Sequence, residues 1–124
     1  MRRDPDARDA PAAGEERPTI TGPMGPEDLR AFFERTVVPL RLACQTPAGR
    51  LWIVALWYRY RDGVLSCATG ADATVVDYLE ANEAVAFEVS LNTPPYVGVR
   101  GAGTASIAPD EDKRLLRALL QRYL

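Results

Sequence analysis

Histidine is absent from this chain of 124 residues. Its loss removes the commonest general base near neutral pH and the commonest metal ligand, so a Ser-His-Asp hydrolase and a histidine-ligated metalloenzyme are excluded. Cysteine is scarce: Cys44 and Cys67 sit in apolar runs, with no CxxC clip and no zinc-like cluster, so no metal site is expected. They read as free core thiols in a reducing compartment, which makes the cytoplasm the default location. No apolar run approaches the length of a membrane-spanning helix, and Arg2-Arg3 leads into Asp-Pro-Asp rather than an apolar targeting segment. No membrane partner is expected. An excess of basic charge is also missing, since 15 basic and 17 acidic residues leave a net charge of −2. Without that excess there is no global attraction to nucleic acid, and partners must be sought in local sites.

What is present changes character along the chain. Residues 1–25 are rich in Asp, Ala, Pro, Arg and Gly, with almost no large apolar side chain, and are expected to be a disordered tail. From Pro26 the spacing of Leu29, Phe32 and Phe33 predicts a short amphipathic helix to about Thr36. Leu40 to Thr46 reads as a strand, followed by a tight turn through Pro47, Ala48 and Gly49. The run from Leu51 to Tyr60 is β-branched, aromatic and apolar on both faces, which predicts a central strand. Arg61-Asp62-Gly63 is a hairpin signal, and Val64 to Ala68 is expected to return antiparallel.

Thr69 to Asp72 then opens a second helix, with Asp72 as its expected N-cap and Val75, Val76 and Leu79 on one face. Ala84 to Ser90 alternates as a strand, with Val85, Phe87 and Val89 on one side and Glu88 on the other. Next come Pro94-Pro95 and a strand from Val97 to about Ile107 that carries Gly98, Gly101 and Gly103. Glycines in a strand mark a bulge, a bend or the close approach of another backbone or ligand. Pro109-Asp110 starts a last helix whose Leu115, Leu116, Leu119, Leu120 and Tyr123 predict a buried face. The fold class expected is α+β: an antiparallel, Greek-key-like split β-barrel over residues 26–124 with peripheral helices.

This order resembles the pyridoxamine 5′-phosphate oxidase-like family of FMN-binding split barrels. The pieces that carry the likeness are Gly49-Arg-Leu-Trp-Ile-Val-Ala-Leu-Trp-Tyr-Arg-Tyr60, Asp62-Gly63, the turn and helix from Thr69 to Leu79, and Pro94-Pro-Tyr-Val-Gly-Val-Arg-Gly-Ala-Gly-Thr-Ala105. The resemblance implies a homodimer with flavin in a groove at the interface. Its ring would lie against Trp52, Ile53, Val54, Ala55, Leu56 and Trp57. Its phosphate would lie near Ala68, Thr69, Asp72, Ala73 and Thr74, where a helix N-terminus offers unpaired N–H groups.

The departures from the family are specific. Asp72-Ala73-Thr74 stands where the oxidase proper has Ser-Arg-Lys, and Trp52 stands where it has an arginine, so cations for the phosphate are missing. Arg100, between two glycines, is a candidate to replace part of that charge, as are Arg59 and an arginine from the partner chain. The family's further strand after the last helix is not seen before Leu124. The activity implied is an FMN-dependent oxidoreductase acting on a small molecule, other than pyridoxamine phosphate oxidation. The alternatives are a deazaflavin (F420) oxidoreductase and a non-catalytic dimeric module that binds a flavin or other planar ligand.

Overall fold

The computed structural model describes residues 2–4, as backbone, and 19–124. Most of the expected disordered tail lies outside the described residues; within it, Arg2–Asp4 forms strand β1. Helix α1 (Pro26–Arg35) follows, with Pro26 in its first turn, where a missing N–H costs nothing. The backbone N–H of Gly25 donates to the Asp28 carboxylate at 3.1 Å, and Phe32 and Phe33 are buried. Strands β2 (Leu40–Gln45), β3 (Leu51–Leu56), β4 (Arg59–Arg61) and β5 (Val64–Ser66) precede helix α2 (Thr74–Ala81). Strands β6 (Ala84–Ser90) and β7 (Gly98–Ser106) come next. A short 3₁₀ turn (Glu111–Lys113) leads into helix α3 (Arg114–Tyr123).

All the strands join one antiparallel sheet in the order β3-β2-β6-β7-β1-β5-β4. The run Leu51–Tyr60 is therefore not the single central strand that its composition predicts. It breaks at Trp57 and Tyr58, and its halves become the two edges of the sheet. Edges joined by only two residues can exist only if the sheet curls round on itself. No ladder connects β3 to β4 among the described residues, so the curl is an unclosed barrel. This α+β architecture, an antiparallel sheet with three helices, meets the coarse expectation.

The corner is held by side chains. Tyr58 is fully buried, and its hydroxyl donates to the carbonyls of Phe33 at 2.8 Å and Thr36 at 2.6 Å, at the C-terminal end of α1. Arg122 of α3 donates to the carbonyls of Phe33, Glu34 and Thr36 at 2.7, 2.9 and 2.8 Å. A cation thus sits where a helix presents its unsatisfied carbonyls. The guanidinium also lies over the Tyr58 ring, 4.9 Å from its centroid.

The hairpin signal is fulfilled: Asp62 (φ 52) and Gly63 (φ 80) are both left-handed, as a two-residue turn with the strand twist requires. The apolar face expected of the last helix is only partly covered. Leu119 is buried, but Leu116 and Leu120 are exposed. Cys44 and Cys67 are both buried, and burial raises the Cys44 thiol pKa.

Candidate functional site

Strand alternation divides the β3 residues between two surfaces. Ile53 and Ala55 point outward with Leu51, and Leu51 and Ile53 are 82% and 64% exposed. Trp52, Val54 and Leu56 turn inward and are half-buried against the core. Trp52 meets the Tyr78 ring of α2 edge-on at 5.1 Å. Trp57, just beyond the strand, stacks on Tyr123 at 4.9 Å with the rings 6° from parallel. The two tryptophans therefore already have aromatic partners inside this chain, and the six predicted ring contacts do not share one face.

The outward face is read off the ladder register. Ile53, Ala43, Ala86 and Ala102 form one row across β3, β2, β6 and β7; Ala55, Arg41, Glu88 and Arg100 form the next. Methyl groups leave the first row shallow, and a concavity of about 640 Å³ lies over it, with Arg41, Glu88 and Arg100 on its border. Arg41 reaches Glu88 at 3.7 Å. Arg100 makes no ion pair among the described residues, so one exposed cation is left at the rim. With strands about 4.8 Å apart, Ala55 and Arg100 are roughly 14 Å from each other along their row.

Two of the three β7 glycines, Gly98 and Gly101, answer to close packing inside the sheet. A Cβ on Gly101 would lie 2.6 Å from the Phe87 ring, and one on Gly98 would lie 2.0 Å from Ser90 Oγ. Phe87 stands directly opposite Gly101, so the missing side chain makes room for the ring to lie inside the curl. Close approach was legible in the glycine pattern; its partner was not.

The predicted phosphate turn occupies a second place. Ala68 and Thr69, with Gly70 and Ala71, line a cavity of about 840 Å³ whose other wall includes Ile107, Asp110, Lys113 and Leu116. Asp72, Ala73 and Thr74 are not among its lining residues. Asp72 is not the N-cap of α2: that position belongs to Ala73, with no side-chain cap hydrogen bond, and the helix starts only at Thr74. The first N–H groups of α2 are thus left without a side-chain acceptor.

Lys113, the sole lysine of the chain, is the residue that sequence reasoning missed. It follows Asp112 in a left-handed pair (φ 58 and 55), which propensity does not foresee for side chains of this kind. Its neighbour Asp110 caps α3, accepting from the N–H groups of Leu115 at 2.9 Å and Leu116 at 3.0 Å. Those backbone bonds, more than any other cause, lower its carboxyl pKa. Glu80 is the other acid in that cavity.

No family model matches the chain, and no curated protein does. Among solved structures, one named F420 Reductase is 29% identical over 82% of this chain and 79% of its own, with a TM-score of 0.66. A second is the conserved hypothetical protein Rv2991 from Mycobacterium tuberculosis. It is 24% identical over 81% of this chain, with a TM-score of 0.70, and carries the fold alone. This chain spans 64% of that protein. The likeness shows that the chain shares its α+β fold with these two structures. No described helix is long and apolar enough to cross a membrane.

Proposed function

We propose that the chain is a homodimeric oxidoreductase that holds a deazaflavin (F420) or flavin cofactor beside its outward sheet face and acts on a small molecule. The observation that carries the reading is that face: Leu51 and Ile53 stand exposed beside a row of alanines, with Arg100 at the rim making no ion pair to a described residue. Apolar surface of this kind on a sheet is covered in a working assembly. A second copy would cover it while leaving a groove for a planar ring against Ile53 and Ala55.

The residues present bear on which cofactor fits. The turn at Ala68–Thr74 has no arginine or lysine of its own, and its cations are limited to Lys113 across the cavity. Thr69 and Thr74 offer hydroxyls, and the α2 N–H groups have no side-chain acceptor. A phosphate can be met there, though by fewer charges than the oxidase proper supplies, and either cofactor brings one. The name of the 29%-identical structure is what favours F420 over FMN. The cofactor would supply the hydride chemistry; the protein supplies binding, orientation and field, so a chain without histidine is no obstacle.

The test is titration of the purified protein with F420 and with FMN, followed by absorption and fluorescence, alongside sedimentation. Tight binding of F420 by a dimer is the expected result. Binding of neither cofactor would sink the oxidoreductase reading and leave the planar-ligand or purely dimeric module. Tight FMN binding with none of F420 would reverse the preference between the two cofactors.

A further inference from the structure

The β4–β5 hairpin carries a group of donors that the redox site leaves unused. Arg59 faces Ser66 and Arg61 faces Val64 across the ladder, so all four side chains fall on one side of the hairpin. That side opens on a cavity of about 310 Å³, closed opposite by Ala108, Pro109, Asp110 and Leu115. The cavity lies across the 108–110 connector from the one at the α2 turn, because both are lined by those residues.

Two guanidiniums two residues apart on one face repel each other, and water is partly withheld from Arg59. Its Nε is sealed from solvent and has no hydrogen-bond partner. Burial first, then the charge of Arg61, pull the Arg59 pKa down, against a smaller opposing pull from the Asp110 carboxylate. Neither arginine forms an ion pair with a described residue, although two carboxylates line the same cavity. Asp62 is at the exposed tip of the hairpin, and Asp110 is turned to the α3 amides.

Arg122 shows what the fold does with a half-buried guanidinium that is purely structural. Its Nε is also without a partner, but its other nitrogens are spent on three carbonyls. The Arg59 side chain makes no hydrogen bond to a described residue, its sealed Nε included, so a half-buried guanidinium, a second guanidinium and a hydroxyl-bearing side chain line one hollow, which a ligand would meet through the outer guanidinium nitrogens. Such a group in a native structure calls for a missing partner, and planar forks of donors match oxyanions best.

We propose that Arg59, Arg61 and Ser66 form a binding site for an oxyanion group, phosphate or carboxylate, of a small ligand, separate from the α2 turn. The proposal does not depend on the redox cofactor. Inorganic phosphate and malonate are titrated into the full chain by calorimetry and by amide NMR at low salt, with Arg59→Gln, Arg61→Gln and the exposed control Arg50→Gln.

Saturable binding is expected, with shifts at Arg59–Ser66 and Ala108–Asp110, and at least tenfold weaker binding in Arg61→Gln, which lies at the surface and leaves the fold intact. Arg59→Gln is expected to lose binding as well, and Arg50→Gln to keep it within twofold. Preference for phosphate identifies a phosphorylated ligand, and preference for malonate a carboxylate; either supports the site. Absence of saturable binding by both probes overturns it, as does equal loss in Arg50→Gln, which would mark general charge attraction.

Discussion

Two regions of this molecule treat their polar and apolar groups in opposite ways. At the corner between β3 and β4, Tyr58 is fully buried, and its hydroxyl and the Arg122 guanidinium together occupy the carbonyls at the end of α1. On the outward face of β3, β2, β6 and β7, isoleucine and leucine stand in water, a row of alanines has no described residue over it, and Arg100 makes no ion pair to one. The corner is complete within one chain. The face leaves large apolar side chains exposed, which is the physical basis for proposing function at the face and stability at the corner.

The comparison breaks most sharply at Arg122. Arg122→Ala strips charge-assisted bonds from three carbonyls and removes the cation over Tyr58, and a loss of about 3 kcal/mol is expected in chemical denaturation. Gly101→Ala sets a methyl against the Phe87 ring from within the sheet and is expected to cost about 1–3 kcal/mol. The double variant with Phe87→Ala should cost less than the sum, because the clash has lost its partner.

A smaller effect is expected at high pH. Burial, above all, pushes the Tyr58 hydroxyl from 10.0 up to about 12. The folded state then holds a proton that the unfolded chain has released, so stability falls as pH rises from 10.0 through about 12. Tyr58→Phe should flatten that part of a stability-versus-pH curve, at the cost of the two hydroxyl bonds. Least of all on the single chain, Ile53→Glu should change monomer stability by no more than about 0.5 kcal/mol. The same change should abolish self-association in sedimentation; a dimer that survives it removes the argument from the face.

Local patterns in the sequence carried most of the elements. Alternation at Val85, Phe87 and Val89 put the right side of β6 inside, and Asp62-Gly63 set its turn, because neighbours in the chain decide both. The run at Leu51–Tyr60 misled for a physical reason. Being apolar on both sides usually means burial on both sides, but here one side is exposed in the single chain and the run bends at Trp57. Asp72 has the chemistry of a cap, yet the helix starts at Thr74 with Ala73 before it. Lys113 was invisible because its value comes from a left-handed pair and a cavity wall formed by distant residues.

The two-residue joint at Trp57 and Tyr58 also bears on how the chain finds its shape. Closing a loop costs entropy that grows with its length, by about 0.6 kcal/mol per doubling. Here the two edges of the sheet are tied almost without a loop, and each belongs to a hairpin of near neighbours, β2–β3 and β4–β5. The curl is therefore inherited from covalent connection. The long search is left to β6, which must find β2 across three intervening strands and a helix and brings β7 with it, and to Arg2–Asp4, which must cross most of the chain to lie between β7 and β5.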